Sequence, residues 1–203
     1  MLKIYHVPRT RSMRLIWLCE ELALPYELVP IDFSPAYRAS PEWRRLNPVG
    51  KVPAISDGDF SMFESGAIVE HLLDCHGNGR LRPAAGTRER AAYLQWSWFA
   101  EATFARPLGD IAQHTAIKPP EQRIPAVVED ARGRALLCLD ALDAAVPGGR
   151  HLVGDAFTAA DIMMGYSGML ARRFGVLDPA KHPKADAYMK RLEARPAYAK
   201  ANA

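Results

Sequence analysis

The stretch Asn47-Pro48-Val49-Gly50-Lys51-Val52-Pro53-Ala54-Ile55 decides how the first third of this chain is read. Pro53 stands at the head of the apolar run 52–56. Proline cannot donate to a β-ladder, so it is tolerated at an edge, a strand start or a special turn. A second short run, 60–63, follows across Asp57-Gly58-Asp59, a hairpin signal that makes these two strands antiparallel. Upstream, residues 2–6 and 26–31 read as strands. Between them 12–24 places Leu15, Ile16, Leu18, Cys19, Leu22 and Ala23 at helical spacing. Strand, helix, strand is a βαβ unit with parallel strands and a right-handed crossover. Downstream, a helix from Glu64 or Ser65 to about Cys75 closes the unit. The expectation is an α/β domain on a mixed four-stranded sheet.

Beyond residue 88 the strand signal ends. Helices are expected over 87–114, 124–146, 159–174 and 183–195, separated by Lys118-Pro119-Pro120, Pro147-Gly148-Gly149 and Asp178-Pro179. The segment 76–83, with two glycines and a proline, reads as a connector. The division is therefore a first domain over 1–78, a linker over 79–86 and an all-helical domain over 87–203. No internal repeat or low-complexity tract is present.

Composition narrows the function classes. With 203 residues, 49% hydrophobic, the chain has enough apolar mass for a folded core and is not disordered. Its net charge of +3 comes from arginines scattered between acids, not the concentrated basic stripe that nucleic acid requires. No run approaches a membrane span, and Pro8 interrupts any signal-peptide apolar region. Three widely spaced cysteines, Cys19, Cys75 and Cys138, give no disulfide framework and no CxxC pair. A cytoplasmic protein is expected. The six histidines show no metal-ligand spacing. No metal is expected, and His71 reads as a structural histidine.

Three segments carry candidate chemistry. A cis Val52-Pro53 bond would turn the N–H and C=O of Val52 outward, where an extended peptide ligand can pair with them. An ordinary trans proline is the alternative, since cis makes up about 5–6% of X-Pro bonds. Glu64-Ser65 precedes a helix whose N-terminus favours a carboxylate, and Glu64 can accept from an ammonium group. Together they suit the α-amino and α-carboxylate groups of an amino acid; the plain alternative is a helix cap. The loop 8–14 lies beyond the carboxyl end of the first strand, where open sheets bind ligands. Its hydroxyls, Thr10 and Ser12, either cap the helix or donate to an incoming thiolate. No cysteine lies in this loop, which argues against a thiol redox enzyme of the same architecture.

In this order the three segments resemble the glutathione transferase superfamily. Asn47-Pro48-x-Gly50-Lys51-Val52-Pro53 and Glu64-Ser65 match its signatures at the right separation. Leu152-Val153-Gly154-Asp155-x-Phe157-Thr158-Ala159-Ala160-Asp161-Ile162 is similar to its helical-domain motif, read physically as a capping box at Thr158 and Asp161 with Phe157 and Ile162 as the staple. Trp17-Leu18-Cys19-Glu20-Glu21-Leu22-x-Leu24-Pro25-Tyr26-Glu27 also has the family's look. The resemblance spans nearly the whole chain and favours the cis reading of Val52-Pro53. It implies a thioredoxin-like first domain followed by a helical bundle, in a bacterial-type cytosolic member with Ser or Thr, not Tyr or Cys, in the first loop.

That resemblance further implies glutathione as co-substrate. Its γ-glutamyl group would meet Glu64 and Ser65, its cysteinyl backbone Val52 beside Pro53, and its glycyl carboxylate Lys51 or a neighbouring basic residue. The thiolate would then attack a small electrophilic, hydrophobic co-substrate held against the helix from Thr87, whose aromatics Tyr93, Trp96, Trp98, Phe99 and Phe104 read mostly as core. Ser12 is the first choice for the thiolate-stabilising hydroxyl and Thr10 the second. An arginine or a backbone N–H is the remaining option, and Tyr5 lies too early, in the strand. A homodimer is implied by the family alone. A catalytically silent glutathione-binding protein, or a glutathione-dependent peroxidase, isomerase or dehalogenase, would share every residue named.

Overall fold

The computed structural model describes residues 1–146 and 150–203; the expected separator Pro147-Gly148-Gly149 lies outside them. Two compact units emerge, Met1–Arg80 together with Ala194–Ala203, and Leu81–Glu193. The last ten residues thus group with the first unit, whereas the sequence reading carried the helical domain to residue 203.

The first unit holds a four-stranded mixed sheet in the order β2-β1-β3-β4, from β1 (Lys3–His6), β2 (Glu27–Pro30), β3 (Ala54–Asp57) and β4 (Phe60–Phe63). β1 pairs parallel with β2, and antiparallel with β3, which pairs antiparallel with β4. The hairpin turns at Gly58 and Asp59, between the paired Asp57 and Phe60, with Gly58 at φ 61°. β3 begins at Ala54, immediately after Pro53, which spares the proline any place in the ladder.

Helix α1 (Met13–Leu22) is buried over almost its whole circumference, because it packs against β1, α4 (Ser65–His76) and α10 (Pro196–Ala201). On the sheet's other face Trp43, Val52 and Ala54 form a second core with Tyr5, Val7, Ile31, Tyr37 and Leu46 packed against it. Trp43 arrives on a pair of short helices that periodicity does not reveal, α2 (Pro35–Ala39) and α3 (Pro41–Leu46). Each starts with proline behind a serine cap, Ser34 accepting from the Tyr37 N–H and Ser40 from the Trp43 N–H.

The second unit is all-helical: α5 (Arg88–Trp98), α6 (Ala105–Ala112), α7 (Pro125–Ala145), α8 (Ala159–Arg173) and α9 (Pro183–Glu193). The single helix expected over 87–114 is interrupted by a π-helical segment, Phe99–Phe104, and a second one, Gln113–Ile117, follows α6. Of the five aromatics expected mostly in the core, Tyr93 and Phe104 are fully buried, Trp96 and Phe99 are half-buried, and Trp98 is 66% exposed. The capping box forms at the start of α8. Fully buried Asp161 accepts from the Thr158 N–H at 2.8 Å, the Leu152 N–H at 3.0 Å and the Tyr188 hydroxyl at 2.9 Å. These bonds fasten three segments of the unit to one carboxylate. Among the described residues no helix is long and apolar enough to cross a membrane.

Candidate functional site

Asn47 organises the segment before β3. It is buried, its side-chain amide donates to the Lys51 carbonyl at 2.8 Å, and its Oδ1 accepts from the Val49 N–H at 3.2 Å. Gly50 sits at φ 64°, and a Cβ there would lie 2.6 Å from the Arg38 carbonyl oxygen. Arg38 and Arg44 close around it: Arg38 Nε donates to the Gly50 carbonyl at 2.9 Å, and Arg44 to the carbonyls of Arg38 and Pro48. The Val52-Pro53 bond is cis. The Val52 side chain enters the Trp43 core, while its N–H and C=O take no partner among the described residues. Lys51 is exposed beside it.

Glu64 holds the left-handed φ of 75° and ends β4 by turning the chain into α4. Ordinary residues avoid this region, so the turn is held by the packing on either side of it and not by the preference of Glu64 itself. Ser65 is the first helical residue and makes no side-chain cap; the first turn-closing bond is Ile68 N–H to the Glu64 carbonyl at 2.9 Å. The N–H groups of Ser65, Gly66 and Ala67 take no partner among the described residues, leaving donors at the positive end of a twelve-residue helix. Arg14, fully buried on α1, donates from Nη1 to Ser65 Oγ at 3.1 Å. That bond ties the start of α1 to the start of α4. Sequence reasoning passed over Arg14; a charged residue inside the apolar face of the first helix was the available signal.

In the β1–α1 loop the capping role is not taken up. Ser12 occupies the N-cap position of α1 but its side chain makes no cap bond. It is fully buried, with Oγ 2.7 Å from His6 Nδ1, 2.8 Å from Thr10 Oγ1 and 3.2 Å from the Val7 carbonyl. Thr10 is only partly covered and donates to the same carbonyl at 2.8 Å. The first N–H groups of α1 are satisfied by tight backbone turns, Met13 to Thr10, Arg14 to Arg11 and Leu15 to Ser12, each at 3.1 Å. Arg9, exposed at φ 62°, bends the loop. Tyr5 faces the other side of the sheet, edge-on to Trp43, and its hydroxyl lies 3.3 Å from Ser56 Oγ. Burial holds the His6 imidazole below its ordinary pKa.

Other features lie apart. A depression of about 470 Å³ lined by Cys19, Glu20, Tyr26 and Leu28 sits at the opposite end of α1 from Thr10. Cys19 and Cys138 are buried, and burial pushes the Cys19 thiol up to about 12. Cys75 is exposed. His71 packs against Phe60, ring centroids 5.2 Å apart. Among the described residues no cluster of three or more His, Cys, Asp or Glu is placed to hold a metal ion.

A mixed four-stranded sheet with an unpaired backbone ahead of β3 and an open helix start behind β4, followed by a helical unit, defines the class: a thioredoxin-like domain joined to an all-helical one. Comparison with known proteins makes that class specific. Residues 1–74 match the glutathione S-transferase N-terminal domain and 107–196 the C-terminal domain. The chain belongs to the glutathione S-transferase superfamily. It is 29% identical to glutathione S-transferase 3 of Schizosaccharomyces pombe over 85% of this chain and 75% of that one. It is 28% identical to the disulfide-bond oxidoreductase YfcG of Escherichia coli over 97% of this chain and 92% of that one. The glutathione transferase URE2P8 of Phanerochaete chrysosporium, solved with oxidized glutathione, superposes with a TM-score of 0.89 at 27% identity, covering 98% of this chain and 92% of that one.

Proposed function

We propose that this protein is a glutathione transferase that joins the glutathione thiolate to a small, hydrophobic electrophile. The observation that carries the reading is the Arg14–Ser65 hydrogen bond, which ties the first turn of α1, directly after the hydroxyl loop, to the open N-terminus of α4. In this reading the γ-glutamyl carboxylate takes the free N–H groups of α4 and the Ser65 hydroxyl, and Glu64 accepts from the ammonium group. The unpaired backbone of Val52, beside Pro53, pairs with the cysteinyl residue as one strand adds to another, and Lys51 meets the glycyl carboxylate.

The thiol then reaches the β1–α1 loop. A free thiol of pKa about 8.5 is mostly protonated at neutral pH, so a hydrogen bond to its anion raises the nucleophile available. Thr10, partly open, is the donor in direct reach; Ser12 is enclosed and supports it. The proton goes to solvent. The family resemblance extends the reading to a homodimer, which sedimentation velocity checks.

The test passes the protein over immobilised glutathione and measures thiol addition to an activated aromatic halide. Ser65→Ala should weaken retention about tenfold, and Thr10→Val should lower turnover more than retention. Retention without turnover across several electrophile classes would instead support a silent glutathione-binding protein. The similarity to the E. coli disulfide-bond oxidoreductase favours one second reading, in which the thiols belong to glutathione and not to a cysteine of the first loop. Two glutathione thiols would be oxidised to one disulfide while a substrate disulfide is reduced to two thiols. Turnover of a small mixed disulfide in the absence of electrophile turnover would select it.

A further inference from the structure

We propose that His6 is a positioning residue for the thiolate-stabilising hydroxyl, fixing through Ser12 the direction in which the Thr10 proton points. The inference rests on the reading that the glutathione thiol meets Thr10.

Four groups share two hydroxyl protons. His6 Nδ1 lies 2.7 Å from Ser12 Oγ, Ser12 Oγ lies 2.8 Å from Thr10 Oγ1, and both hydroxyls reach the Val7 carbonyl, at 3.2 and 2.8 Å. A serine hydroxyl has one proton to give. When Nδ1 is bare, it takes the Ser12 proton, and Thr10 alone is left to satisfy the Val7 carbonyl, so its proton points inward. When Nδ1 carries hydrogen, it donates to Ser12, Ser12 donates to Val7, and the Thr10 proton is released toward a ligand. The two arrangements use the same heavy-atom positions and differ in the imidazole tautomer and, with it, in the directions of the two hydroxyl protons.

Three observations give this chain a purpose beyond packing. Ser12 is wholly enclosed, so no ligand touches it except through Thr10. Its side chain does not cap α1 despite standing at the cap position. His6 is itself buried on β1, where burial favours a neutral ring with a single N–H, and that makes the choice of tautomer decisive.

The measurement is the pKa of the bound thiol, followed by the ultraviolet absorbance of the thiolate in the full-length protein saturated with glutathione, alongside the glutathione Kd. His6→Leu should cut the thiolate fraction below the midpoint about threefold, with Kd changed less than twofold. Ser12→Ala should do the same, and the double variant no more than either alone, since both break one relay. His6→Asn, whose amide can offer an N–H near the Nδ1 position, should restore most of the effect. Imidazole nitrogen NMR shifts of the unaltered, glutathione-bound protein should report the Nδ1–H tautomer.

Additive losses in the double variant, an unmoved thiol pKa in His6→Leu where Thr10→Val moves it, or an Nε2–H tautomer would overturn the role of His6 while sparing Thr10. A Thr10→Val variant with an unmoved thiol pKa would remove the Thr10 reading and this inference with it.

Discussion

The three cysteines show how far a residue's neighbours in sequence predict its surroundings in space. Each sits in an apolar helical pattern, yet only Cys19 and Cys138 are enclosed. The thiolate is the reactive form, and burial holds both of these thiols protonated. Iodoacetamide at neutral pH should therefore label native protein at Cys75 alone and unfolded protein at all three, as peptide mapping reads out; native labelling of Cys19 would contradict the packing of α1. Gly50 carries a second residue-scale expectation. Gly50→Ala must hold a left-handed φ and place its Cβ against the Arg38 carbonyl, which should cost about 2 kcal/mol in urea unfolding and weaken retention on glutathione. The sequence offered this glycine only as part of a matching motif. Its physical reason, the arginine clasp of Arg38 and Arg44, joins residues six and twelve apart and has no local signal.

At the scale of elements, legibility followed length and period. The sheet strands and the long helices were readable because apolar residues recur at spacings of two or near three and a half. The short helices α2 and α3 were not, although Ser34-Pro35 and Ser40-Pro41 are helix-start signals, because five or six residues show no period. The π segments changed hydrogen-bond register without changing composition, so nothing in the sequence marked them. The enclosure of Ser12 was equally hidden, since a loop hydroxyl reads the same whether it faces solvent or a buried histidine.

The clasp between α1 and α10 is the element whose loss should be felt most. Tyr198 meets Trp17 edge-on at 5.0 Å, and the Arg195 guanidinium makes two bonds of 2.7 Å to Glu21. Tyr198→Ala should cost about 3 kcal/mol, chiefly as a cavity beside Trp17, read in denaturant unfolding. The neighbouring pair contributes less. Lys200, donating at 2.7 Å, holds the Glu20 carboxyl below its ordinary value; burial opposes this and a bond from Tyr26 assists. A depressed carboxyl stabilises the fold fully above its unfolded pKa of about 4.3 and loses that contribution as pH falls through its folded value. The melting temperature of wild type should exceed that of Glu20→Gln by about 1–2 °C at pH near 7, a gap that closes below about pH 4.

On the proposed function, the molecule as a whole would couple ligand to stability through its first unit. Whatever binds the folded state alone adds RT ln(1 + [L]/Kd), about 2.7 kcal/mol at a hundredfold excess over Kd. Glutathione should accordingly slow amide hydrogen exchange at Val52, Ser65 and Gly66, and Ser65→Ala should need about tenfold more glutathione for the same protection. Unchanged exchange at saturating glutathione would remove these three residues from the binding surface.

Because α10 fills the flank of α1, the order in which this protein is made cannot be the order in which it is finished. The ribosome delivers every strand of the sheet within the first third of translation, but Tyr198 reaches Trp17, and Arg195 reaches Glu21, only once residues 195–201 have been added. The nascent sheet waits, one flank bare, through the synthesis of all the intervening helices. A chain released prematurely would leave that indole uncovered, where chaperones and proteases select their clients.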